Sequence, residues 1–291
     1  MVFCGTTLPS ADQGAAKSTS RMLAVQVLLD RARFSPGEID GAGGPNTTRA
    51  IAAFERVKNM RVADALAAAT DPPTVPYTIT AEDAAGPFLP SIPSDMMEKA
   101  ALKRLSFTSL AESLGERFHA SPALLKRLNP SARFAAGETI QVPNVLLEPP
   151  RLPAAPRTLT VSKAEAVLTV TDNTGAVIYH APVSSGSEHD PLPIGEWTVT
   201  GVAHEPPFNY NPDLFWDADP AHAKTRIPPG PNNPVGLVWI DISKPHYGIH
   251  GTPEPSSVGH SESHGCVRLT NWDAAAVAGL VAKGTKVVFI E

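Results

Sequence analysis

Apolar positions in the N-terminal third repeat with a helical period. From Met22 to Ala32, Leu23, Val27 and Leu28 recur at the three-to-four-residue spacing that turns one helix face toward a core. The cluster Ser35-Pro36-Gly37-Glu38-Ile39-Asp40-Gly41 ends that stripe, because Pro and Gly supply turn dihedrals. A second helix is predicted to start near Pro45, with Asn46 as its cap, and to run through Ala50, Ile51 and Phe54. The string Leu110-Ala111, Leu124-Leu125 and Leu128-Asn129-Pro130 predicts helix, turn, helix and an Asn-Pro stop. Thr139-Ile140-Gln141-Val142 then alternates like a short strand. Beyond Arg157 the period drops to two. Ala166–Thr171 and Ala176–Val183 are β-branched runs joined by a hairpin turn at Asp172-Asn173-Thr174-Gly175. Glu196–Ala203 and Val235–Ser243 predict further strands. A helix over Asp273–Ala282, capped by Asn271 and stopped by Gly284, precedes a last strand at Thr285–Ile290.

These patterns predict an α+β multidomain chain: a small helical region at 19–70, an α/β module at 76–146, a Pro-rich linker at 147–156 and a mostly-β domain at 157–291. The linker reading rests on Glu148 to Pro156, whose prolines favour a semi-rigid extended connector. With 42% hydrophobic and 18% charged residues the composition is that of a globular protein. The sequence has no apolar run long enough to span a membrane, so a transmembrane chain is not expected. Net charge is -5 and no basic stripe appears, which excludes a nucleic-acid partner. The acid surplus lies beyond Arg157, where 8 Lys and Arg face 14 Asp and Glu, a balance suited to a substrate carrying amines. Met1–Gly5 is too short and weakly apolar for a secretory signal, so no export signal is visible.

Candidate chemistry concentrates in two segments, Tyr247-Gly248-Ile249-His250-Gly251-Thr252 and Ser263-His264-Gly265-Cys266-Val267-Arg268-Leu269. The loop between them carries Pro253, Pro255 and Gly259, so it can fold back and bring both ends together. A thiol is mostly protonated at neutral pH. A nearby imidazole that removes the proton, or depresses the thiol pKa, makes it a nucleophile. Gly265 admits a close substrate, and backbone N–H groups around Gly265 and Cys266 can stabilise an oxyanion. Arg268 is a permanent cation able to grip a carboxylate. Zinc is the competing reading, with His250, His260, His264 and Cys266 as ligands, but His-x-Cys is not a usual zinc pair and no second Cys is close. Cys4, the other cysteine, lies in a polar N-terminus, and a staple to Cys266 is unnecessary at this length.

Taken together, the last 135 residues resemble the L,D-transpeptidase (YkuD-type) catalytic domain. The resemblance is carried by Ile194-Gly195 after Pro-Leu-Pro, by Gly230-Pro231-Asn232-Asn233-Pro234-Val235-Gly236, and by the two segments above. It implies a β-sandwich-like fold and peptidoglycan stem peptides as substrate. Cys266 would be the nucleophile, His250 the base oriented by the Gly251 carbonyl, and His264 and Gly265 neighbours of the reacting centre. Ser263 and Thr252 would contact substrate, and Arg268, where some relatives carry Asn, is assigned to the substrate on its own charge. No metal or organic cofactor is implied, and the cell envelope or periplasm is the implied location. The acceptor stays open between an amine, an envelope-protein lysine and water, the last giving a carboxypeptidase or cross-link hydrolase. A wall-binding protein with a vestigial site is the reading from another class. Gln26, Ile39-Asp40-Gly41, Gly44, Thr47, Ala50-Ile51 and Phe54 resemble a small peptidoglycan-binding helical domain. Leu128-Asn129-Pro130 with Gly137, Ile140 and Val142-Pro143 resembles a LysM glycan-binding module, although Phe107-Thr108-Ser109-Leu110 stands where Gly-Asp-Thr-Leu is usual. Either region can equally be scaffold.

Overall fold

The computed structural model describes residues 11–146, 155–261 and 265–291, with the backbone alone for 11–19. Cys4, Ser263, His264 and all of the expected linker but its last two residues lie outside them. Helices α1 (Ala11–Arg31) and α2 (Pro45–Lys58) form a hairpin, followed by a short α3 (Val62–Ala68). α1 begins well before Met22. Pro45 is the first residue of α2, so the cap position falls to Gly44. Asn46, read from sequence as the cap, lies inside the helix, and its amide donates to the Val258 carbonyl at 2.8 Å. The Asp40-Gly41 turn is held by Gln26, whose amide donates to the Asp40 carboxylate at 2.9 Å and whose carbonyl accepts the Gly41 N–H at 2.8 Å.

Next come β1 (Thr74–Thr78), α4 (Ala81–Ala85), α5 (Met96–Ala101), α6 (Leu110–Arg117), α7 (Pro122–Leu128) and β2 (Thr139–Pro143). The helix, turn, helix and strand of the sequence reading are α6, α7 and β2. Asn129 ties the end of α7 to β2, accepting the Gln141 N–H at 2.7 Å and donating to the Leu125 carbonyl at 2.9 Å. Strand β1, antiparallel to β2, is not announced by the sequence because Pro76 breaks its run. Leu23, Val27 and Ile39 from the first hairpin share one apolar cluster with Leu114, Leu124 and Ile140.

The remaining strands are β3 (Thr158–Ser162), β4 (Val167–Thr171), β5 (Val177–Pro182), β6 (Ser184–Ser185), β7 (Gly195–His204), β8 (Phe208–Tyr210), β9 (Thr225–Ile227), β10 (Val238–Ile242), β11 (Gly248–His250), β12 (Val267–Arg268) and β13 (Lys286–Ile290), with helix α8 (Asn271–Ala278) before the last. Nine of them run in the order β5-β4-β3-β13-β7-β10-β11-β12-β6. The long β7 serves both halves: Gly195 to Thr198 pair with β13, and Val199 to His204 pair with β10. The result is a mostly-β sandwich with some helix. Its core joins Leu159, Leu168, Ile240, Ile249 and Phe289 to Ala274 and Val277 of α8. The cap of α8 is Thr270, whose hydroxyl accepts the Asp273 N–H, and the helix ends at Ala278 before Gly279. The sequence reading of an Asn271 cap and a Gly284 stop is thereby corrected. Asn271 instead reaches sideways, accepting the Leu237 N–H at 3.0 Å, while Gly284 serves the turn into β13.

The N-terminal hairpin docks on this sandwich through a buried carboxyl. Asp273 is fully buried and accepts hydroxyls from Tyr179 (2.7 Å), Thr270 (2.7 Å) and Ser35 (3.0 Å). Burial pushes its pKa up to about 6, against the pull of those three donors. Asp273→Ala leaves the buried hydroxyls without their acceptor. We expect a loss of about 3 kcal/mol in urea denaturation; a loss below about 1 kcal/mol would show that the network adds nothing to docking.

Candidate active site

Two neighbouring parallel strands set the site. β11 and β12 pair Ile249 with Val267 and His250 with Arg268. Ile249 and Val267 are both fully buried, and this apolar pair fixes the register. With the register fixed, His250, Arg268 and Cys266, one residue before β12, line one cleft of about 1140 Å³. The cleft is walled by Pro206 to Phe215 on one side and by His246 and Tyr247 on another. Ser94 and Met96, from the segment around α5, complete it.

The His250 ring is buried at 4% exposure and stacks on Trp239, centroids 5.4 Å apart. Its Nδ1–H donates to the Gly251 carbonyl at 2.6 Å. That bond leaves Nε2 as the ring's free acceptor. Burial drops the imidazole pKa to about 4, against the Gly251 bond, and the Arg268 charge lowers it further. Cys266 is half-buried, with Sγ 3.9 Å from the His246 carbonyl. Burial raises its thiol pKa, the Gly248 N–H and Arg268 oppose that, and Asp190 adds to it. The sequence reading expects a depressed thiol. The buried site instead disfavours charge on both partners, so the resting pair is thiol and neutral imidazole.

The glycines earn their places sterically. A Cβ on Gly251 would lie 2.1 Å from Asn271 Oδ1, and one on Gly236 would lie 2.0 Å from the same atom. Asn271 thus fills the space behind the His250 turn and ties down Pro231 and Leu237. Gly265 has φ +89, and a Cβ there would meet Tyr247 at 2.6 Å. Thr252 is buried, and its hydroxyl accepts the Glu254 N–H at 3.3 Å, away from the cleft lining. Ser263 and His264 lie outside the described residues. Sequence reasoning missed Trp239, Asp190 and Met96, which reach the cleft from segments with no local motif, and gave no role to Tyr247, which heads the His250 segment. The Asp190 carboxylate alone carried a signal, in the acid surplus of this half. Among the described residues no group of three His, Cys, Asp or Glu is placed to hold a metal, and no helix is long and apolar enough to cross a membrane.

Comparison with known proteins places this site in context. Residues 156–289 match the family model of the L,D-transpeptidase catalytic domain, YkuD. The Bacillus subtilis protein YkuD, named as an L,D-transpeptidase, is 31% identical over 177 residues, covering 60% of this chain and 90% of that protein. YqjB of the same organism, also named as an L,D-transpeptidase, is 29% identical over 48% of this chain and 74% of its own length. An L,D-transpeptidase from Mycobacterium smegmatis superposes with a TM-score of 0.39 at 20% identity, over 53% of this chain and 64% of that one.

Proposed function

The chain belongs to the YkuD family of L,D-transpeptidases, and from that premise we propose that it cross-links peptidoglycan stem peptides through a thioester on Cys266. The observation that carries the reading is a thiol and an imidazole on one cleft, the imidazole fixed by Gly251 with its other nitrogen left to accept a proton. In the first half-reaction the Sγ–H proton passes to His250 Nε2 as sulfur attacks the carbonyl of the third stem residue, a diamino acid. The C–N bond to the terminal D-alanine breaks, and the imidazolium returns the proton to the leaving amine. In the second half-reaction an amine attacks the thioester, the C–S bond breaks, and the amine's proton returns to the thiolate by way of His250.

Arg268, a cation on the cleft wall, suits the terminal carboxylate of the donor. The Gly265 and Cys266 backbone N–H groups are the candidate oxyanion donors. Burial of the nucleophile makes the substrate part of its activation: a carbonyl seated in the cleft receives the charge that the resting thiol does not hold. The cell envelope is the compartment where this substrate occurs.

Incubating the full chain with disaccharide-tetrapeptide and weighing the products tests the reading. A cross-linked dimer with loss of D-alanine is expected. Tripeptide alone would assign water as acceptor, and unchanged substrate would refute the activity.

A further inference from the structure

Asp190 sits in the same cleft as Cys266 and His250. Its backbone is fixed by a tight turn: the Asp190 N–H donates to the Ser187 hydroxyl at 3.0 Å, and the Ser187 N–H donates to the Asp190 carbonyl at 2.9 Å. Gly186 permits that turn at φ +63, where a Cβ would lie 2.4 Å from the Leu192 nitrogen. The adjacent His189 packs on Trp216 with tilted rings, centroids 4.4 Å apart, linking this turn to the segment just after Phe215. The turn thus fixes the backbone from which the Asp190 side chain enters the cleft lining. Its Oδ2 is buried and has no hydrogen-bond partner among the described residues. Lys244, a cation on the same cleft, lies instead over the Trp197 and Tyr247 rings. A buried carboxylate oxygen without a donor is costly, and here it stands beside a nucleophile whose ionisation it opposes. Both costs are relieved by the same event, the arrival of a cation.

Resting on the transpeptidase reading above, we propose that Asp190 is the ammonium-binding group of the cleft and takes the side-chain amine of the diamino acid in a stem peptide. With the ammonium seated, the negative field at Sγ is cancelled, so the correct substrate eases ionisation of its own nucleophile. Arg268 and Asp190 then read opposite charges on the peptide. A stem whose third residue lacks a free amine leaves the carboxylate unpaired and is discriminated against.

The test uses the full chain in a Cys266→Ala background, which removes chemistry and leaves binding. Calorimetry compares disaccharide-tetrapeptide with the same compound acetylated on its side-chain amine. Acetylation is expected to weaken binding about tenfold or more, and Asp190→Asn to remove that difference. Equal binding of the two compounds to the Cys266→Ala protein overturns the proposal without any variant at Asp190, and so does a difference that persists in Asp190→Asn. A second measurement follows iodoacetamide alkylation of Cys266 against pH in the chain with its cysteine intact, where Asp190, Lys244, His246, Tyr247, His250 and Arg268 are among the ionisable groups that line the cleft with the sulfur. Asp190→Asn should move the alkylation profile to lower pH, and a profile that does not move overturns the electrostatic part. Thioester formation against its aminolysis in Asp190→Asn then separates a donor amine from an acceptor amine. Absence of a thioester in the unmutated chain would count against the transpeptidase reading alone, since the binding comparison needs none.

Discussion

Cys266→Ala is expected to abolish the thioester and reduce cross-linking by on the order of 10⁶-fold. The sulfur is the reacting atom in both half-reactions, so nothing else in the cleft replaces it. His250, Arg268 and Tyr247 would remain in place, because Cys266 precedes β12 and the β11–β12 register depends on Ile249 and Val267. Peptide binding should survive while chemistry does not. Intact-protein mass spectrometry after exposure to the tetrapeptide checks this directly. A covalent adduct on the alanine variant would move the nucleophile elsewhere and sink the assignment. Cys266→Ser should be nearly as inactive, because a hydroxyl is far harder to ionise than a thiol in a site that already disfavours charge.

His250→Ala is expected to lower kcat/KM by about 10³-fold, the range for loss of a positioned general base. The fall should lie in kcat, since the ring serves proton transfer rather than the grip on substrate. His250→Asn keeps a side-chain donor for the Gly251 carbonyl, and it should recover folding without recovering rate. If it also recovers rate, the imidazole is an orienting group and the base is another residue. The pH profile carries an independent check. Burial holds the folded imidazole at about 4 against an ordinary 6.5, so it stays neutral and able to accept a proton well into acid. The acid limb of activity should therefore fall near pH 4, not near 6.5. The unfolded chain takes up that proton first as pH drops. The contribution to stability is thus full above about pH 6.5 and is lost as pH falls toward 4. His180, buried in the docking interface and also near 4, acts in the same direction. Asp273, Glu38 and Glu116, whose carboxyl pKa values burial raises, act in the opposite direction, so the His250 share is read by difference: in urea denaturation the unmutated chain should lose stability relative to His250→Asn between pH 7 and pH 5.

The local order of this chain is written in short-range patterns. The strand runs around Asp172–Gly175, the Leu110–Val142 string and the His250 and Cys266 motifs are legible because each depends on neighbours a few residues away. Period-two apolar runs need only one buried face, and a glycine-flanked cysteine needs only its own loop. Helix ends were less legible. Gly44 and Thr270 take the cap positions because Asn46 and Asn271 are drawn away by distant partners, Val258 in one case and Leu237 in the other.

What the sequence alone determined is the inventory: a β half with a cysteine, a histidine and an arginine in motifs of one family, preceded by helical regions. What only the tertiary structure decided is the electrostatics. The parallel pairing of β11 with β12 brings thiol and imidazole to one cleft, and a turn far away in sequence adds Asp190 to its lining. Ionisation depends on how much water and which charges surround a group, and those are set by contacts between segments that no local spacing encodes.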